Sequence, residues 1–114
     1  MTLTFPTDGA TATTASEATL SEITSDDAAY WGAMVFVPAA FTGTDSVTIK
    51  FYTYDNEAAT ITGKIQYVKT ILGSQAAAPT FYIPLVPCLR YRLTIQRIAG
   101  TDRTFNWHII KQTG

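Results

Sequence analysis

One histidine, one cysteine and nine carboxylates are all that this 114-residue chain offers to acid–base or metal chemistry. His108 follows Trp107 in an alternating apolar segment and falls on the parity opposite Phe105, Trp107 and Ile109, without an evident partner. No Gly-x-Ser-x-Gly elbow accompanies it, so a surface or interface role is expected for His108 in place of a general base. Cys88, in Leu85-Val86-Pro87-Cys88-Leu89, has no second cysteine to pair with and reads as a small buried hydrophobe. A zinc site needs several Cys and His ligands, which one of each cannot supply. Calcium needs only oxygens, and Asp26-Asp27, Asp45 and Asp55-Asn56-Glu57 fall in expected loops. Their spacing matches no EF-hand loop, and Asp and Asn are equally at home bonding their own backbone in turns. Walker and dinucleotide-binding glycine patterns are both missing, and no run of residues shapes a deep cleft for paired carboxylates. The expectation is a non-enzymatic protein with no catalytic residues, no cofactor and no metal.

Binding features remain. Lys50, Tyr52 and Tyr54 share the polar parity of one segment, and exposed aromatics serve sugar-binding and protein-binding surfaces alike, unless a second layer covers them. Arg90, Arg92, Arg97 and Arg103 make the C-terminal region basic. Residues 1–45 carry six carboxylates and no Lys or Arg, whereas residues 46–114 carry all eight cations, so a formal net charge of −1 conceals halves of −6 and +5. Such halves attract within one chain or between neighbours. The near-neutral total makes nucleic acid an unexpected partner. No run approaches the ~18 apolar residues of a membrane-spanning helix, and the N-terminus lacks the basic and apolar regions of a secretory signal. The chain is expected to remain in the cytoplasm that makes it, or to leave inside a larger particle.

The elements that must position these residues follow from period-two patterning. Residues 1–28 are rich in Thr, Ala and Ser and only weakly patterned through Leu3, Phe5, Leu20 and Ile23, which predicts an N-terminal arm with a sandwich domain over 29–114. In the alternative, Leu20 and Ile23 belong to a first strand of that sandwich. Tyr30 to Val37 is apolar nearly throughout, as in a strand covered on both faces, and Pro38 ends it. Ser46 to Tyr54 alternates after a Gly43-Thr44-Asp45 turn, and Ile61, Ile65 and Tyr67 repeat the period. Phe81, Ile83 and Leu85 run into Pro84 and Pro87, which suggest an edge strand. Tyr91, Leu93 and Ile95 then alternate up to Ala99-Gly100-Thr101-Asp102, read as a hairpin turn into Phe105, Trp107 and Ile109. Arg97 and Ile98 sit on the wrong parities, so a bulge or strand end is expected there. The expected core is Val47, Ile49, Phe51, Ile61, Ile65, Phe81, Ile83, Tyr91, Leu93, Ile95, Phe105 and Trp107. Six to eight such strands predict an all-β fold, an antiparallel β-sandwich or jelly roll with an extended N-terminal arm.

The run Tyr91-Arg92-Leu93-Thr94-Ile95, its Ala99-Gly100-Thr101 turn and Phe105-Asn106-Trp107 resemble a C-terminal hairpin of small β-sandwich virion proteins of tailed bacteriophages. Gly43-Thr44-Asp45-Ser46-Val47-Thr48-Ile49-Lys50-Phe51-Tyr52 is similar to a strand of the same group, so the likeness covers roughly half the chain; the Thr/Ala-rich N-terminus departs from it. The resemblance implies a virion structural protein: a capsid decoration or cement protein, or an accessory subunit of head or tail. Its expected partners are the major capsid protein or neighbouring accessory subunits, together with copies of itself in a homo-oligomer such as a trimer, and not nucleic acid or membrane. Leu3, Phe5, Leu20 and Ile23 of the arm, with Arg90, Arg92, Arg97 and Arg103, are the expected partner-binding residues. The competing expectation is a carbohydrate- or receptor-binding sandwich that uses Trp31, Tyr52 and Tyr54 as ligand platforms.

Overall fold

The structure is a computed structural model that describes residues 2–25, 27–41, 43–54, 64–73 and 80–113. Eight strands are present among them: β1 (Thr2–Ala12), β2 (Ala18–Glu22), β3 (Ala29–Phe36), β4 (Ser46–Tyr54), β5 (Lys64–Leu72), β6 (Thr80–Cys88), β7 (Arg90–Ala99) and β8 (Thr104–Thr113). They form two antiparallel four-stranded sheets, ordered β1-β8-β3-β6 and β2-β7-β4-β5. The chain changes sheet at every connection except β4 to β5, which is the jelly-roll arrangement of an all-β sandwich.

Period-two burial explains the layering. Trp31, Ala33 and Val35 of β3 and Phe105, Trp107 and Ile109 of β8 face Val47, Ile49 and Phe51 of β4 and Tyr91, Leu93 and Ile95 of β7 across a closed core. Tyr91 stands between Trp31 and Phe51, with ring centroids 4.9 and 5.8 Å away, and its hydroxyl shares a 2.8 Å hydrogen bond with Ser21. Of the expected core, Phe81 is only partly buried, while Ile61 and the side chain of Ile65 lie outside the described residues. Cys88 is buried in the core. Strand β6 is an edge, as its prolines suggest, and the register between β4 and β7 slips by one residue at Ile98, where the parity breaks.

Two expectations are corrected. Residues 1–28 are not a separate arm: β1 pairs with β8, β2 pairs with β7, and Leu20 is in the core. The sandwich therefore begins near residue 2, not at residue 29. Patterning missed β1 because its inward row is Thr4, Thr7, Gly9 and Thr11, which carries no large apolar group. Nor do β7 and β8 form a hairpin; they belong to different sheets and face one another across the core. Alternation alone does not distinguish strands that pair from strands that face each other, because both present one apolar side to the interior.

Asp45 pins that corner. Only 4% exposed, it accepts the Thr101 N–H at 2.9 Å and the Arg103 Nε–H at 3.0 Å. Gly100, at φ 84°, presses against it so closely that a Cβ would collide with Asp45. Asp45→Ala should cost about 2–3 kcal/mol, since Arg103 loses a buried charged partner but is itself partly hydrated. Trp107→Ala should cost about 3–5 kcal/mol, the usual penalty for deleting a large buried aromatic. Denaturant unfolding measures both, and a loss under about 1 kcal/mol for Trp107→Ala would contradict its inward parity.

Candidate interaction face

The two sheets turn very different outer faces to their surroundings. On β2-β7-β4-β5 the outward rows are polar: Thr70, Thr48 and Gln96 in one, Val68, Lys50, Thr94 and Thr19 in the next, then Tyr52, Arg92 and Glu22. The segment between β1 and β2 lies across this face. Glu17 Oε2 accepts the Tyr52 and Thr94 hydroxyls, both at 2.6 Å, and the Ala15 carbonyl accepts the Gln96 amide at 2.8 Å. Tyr52 is thereby buried, with the Arg92 guanidinium 4.3 Å from its ring centroid. Burial pushes the Glu17 carboxyl up, but the two hydroxyl donors and the nearby Lys50 and Arg92 charges outweigh it and hold the group below its ordinary 4.5. Burial and the Glu17 carboxylate together raise the Tyr52 phenol.

The outer face of β1-β8-β3-β6 is poor in charge and richer in exposed aromatic groups, with Asp8, His108, Asn106, Gln112 and Thr80 interspersed, while the other sheet exposes Val68 and Leu72. One row across all four strands reads Asp8, His108, Met34, Tyr82; the next on one side reads Ala10, Asn106, Phe36, Thr80, and on the other side Ile110 opposite Gly32 is followed by Leu3, Gln112, Tyr30, Pro87. Leu3, Phe5, Tyr30 and Tyr82 are 54%, 55%, 48% and 63% exposed. Asp8 and His108 carry the only ionisable side chains in these rows apart from the tyrosines, with His108 Nδ1 3.6 Å from Asp8 Oδ2. The imidazole sits edge-on between the rings of Phe5 and Phe36, at centroid distances of 6.4 and 5.3 Å. Asp8, Ala10, Phe36, Asn106 and His108 line a shallow open recess there.

The expected partner-binding residues divide accordingly. Leu3 and Phe5 lie open on the apolar face, whereas Leu20 and Ile23 pack into this chain's own core and are not available as anchors. The arginines are engaged within the chain: Arg90 is buried over Tyr54, Arg92 covers Tyr52, Arg97 pairs with Asp102 at 2.9 Å and Arg103 with Asp45. Lys111 pairs with Asp27 at 2.7 Å and lies over the Trp31 ring. The acidic and basic halves thus meet inside one molecule. Burial of Trp31 and Tyr52 also removes two of the three expected sugar platforms, and Tyr54 lies beneath Arg90. Among the described residues no three His, Cys, Asp or Glu side chains converge as metal ligands; Asp26 and Asp55-Asn56-Glu57 lie outside them.

Sequence reasoning placed His108 on this face and missed the face itself. The available signal was Tyr30 to Phe36, apolar on both parities, together with the outward parity of Leu3. Compared with known proteins, the chain matches no family model, no curated sequence and no solved structure.

Glu17 yields a pH test. Because its folded-state pKa is depressed, its contribution to stability is fully present above the unfolded value near 4.5 and is lost as pH falls through the lower folded value. The stability difference between wild type and Glu17→Gln, followed by denaturant unfolding from about pH 7 to about pH 3, should hold steady and then shrink below about pH 4.5. Solvent screening of this exposed side chain keeps the difference small.

Proposed function

We propose that the protein is a non-enzymatic virion structural subunit, a capsid decoration or cement protein that works by binding protein surfaces. The observation that carries this reading is the outer face of β1-β8-β3-β6, where Leu3, Phe5, Tyr30 and Tyr82 stand exposed and no Lys or Arg occurs in the outward rows. Several exposed apolar and aromatic side chains on one face poor in charge favour association with another protein. The resemblance of residues 43–52 and 91–107 to phage β-sandwich virion proteins supports the same reading in residue pattern, though β7 and β8 do not pair as a hairpin, and gives it its setting. The partners proposed are the major capsid protein, neighbouring accessory subunits or further copies of this chain, and the place of action is the particle. Contact with them is apolar, since the cations expected to steer it are engaged within the chain.

Quantitative mass spectrometry of purified particles tests the proposal. The chain should be recovered in fixed stoichiometry with the major capsid protein. Absence from particles, or a chain that selects glycans on an array while ignoring capsid, would overturn it.

A further inference from the structure

We infer that the outer face of β1-β8-β3-β6 is the docking surface for a second copy of this chain, sheet against sheet about a twofold axis. The inference rests on the assembly role proposed above and names one partner for it. The first support is β3, a central strand flanked by β8 and β6 that is apolar on both parities while its own chain covers only one of them. Trp31, Ala33 and Val35 enter the core; Tyr30, Met34 and Phe36 point away from it with no layer above. A strand composed for burial on both sides belongs in the middle of stacked layers. The second support is β1, whose inward row is threonine and glycine while Leu3 and Phe5 stand outward. That end of β1 is exposed on both parities, so Leu3 and Phe5 receive no cover from their own chain.

Charge and area select the occupant. The outward rows hold one carboxylate, Asp8, beside one imidazole, His108, so two copies meet without facing rows of like charge. The opposite face carries Lys50 and Arg92 together with Glu17 and Glu22, charged groups that a sheet-on-sheet contact would have to strip of water. The sandwich measures 41 × 30 × 19 Å, so its broad side has room for an interface of the ~800 Å² that each partner contributes to a stable complex. Twisted sheets pack face to face at ~10 Å, so a twofold would repeat between molecules the layering within each. Lateral growth of this sheet is the poorer route, because Pro84 and Pro87 interrupt the β6 edge and Pro6 stands at the β1 bulge.

Sedimentation velocity of the full chain over a concentration series tests the inference. Wild type should reach twice the chain mass. Phe5→Asp and Tyr82→Asp, each at a side chain more than half exposed, should weaken association about tenfold or more while leaving the thermal melt of the dilute protein unchanged. Tyr82→Ser provides a milder variant should either aspartate disturb folding, and Val68→Asp on the other sheet should associate as wild type. A wild-type chain that stays monomeric at every concentration yet binds particles overturns the second copy and leaves the proposed function standing. A dimer abolished by Phe5→Asp in a protein absent from particles supports this interface and removes the virion role. Association unchanged in both aspartate variants overturns the inference outright.

Discussion

A central strand that is apolar on both of its faces sets the terms for the whole molecule. Because β3 pairs with β8 on one side and β6 on the other, neither edge is free, and its side chains have only two directions to point. Trp31, Ala33 and Val35 take the inward one and hold the aromatic column through Tyr91 to Phe51. Tyr30, Met34 and Phe36 take the outward one, where the chain supplies no cover. Burial stabilises roughly in proportion to apolar area removed from water, so the outward row leaves unused the same driving force that assembles the core. The proposed function places that row against a neighbouring protein.

Electrostatics has been turned inward. The excess of carboxylates before residue 46 and of cations after it looks, in one dimension, like two surfaces made for different molecules. In three dimensions the jelly roll lays the N-terminal strands beside the C-terminal ones, and Asp27 meets Lys111, Asp45 meets Arg103, and Glu17 lies near Lys50 and Arg92. Asp45 and Arg103 hold the corner between β7 and β8, while Glu17 fastens the β1–β2 connection over the polar sheet. These pairs fix which segment lies on which sheet, and the face they leave bare is the one with almost no charge.

Much of this fold was legible because period-two alternation is a direct record of which side is buried. The inward rows of β4, β7 and β8, the parity fault at Ile98 and the edge position of β6 all follow from residue type. Pairing partners are another matter. Ala99-Gly100-Thr101-Asp102 has the chemistry of a tight turn whether the next strand pairs with β7 or crosses to the other sheet, and the buried carboxylate that decides between them comes from more than 50 residues earlier in the sequence. Strand β1 was hidden for a different reason: its attachment to β8 is a backbone ladder over threonine and glycine, which leaves no hydrophobic period on the inner side. Tyr52 was ambiguous because its cover, Glu17, lies on a connection that reads as polar coil.

Oxidative footprinting by mass spectrometry addresses the central claim directly, since it reports whether the outward row of β3 and its neighbours meets water in the assembled protein. Labelling of Met34, Phe5 and Tyr82 should fall together as the protein passes from dilute solution into its assembled state, while Val68 and Leu72 on the other sheet stay as reactive as before. Equal labelling of both sheets in the two states would contradict the account, because the apolar face would then be solvent-facing in the assembly as well as in the monomer.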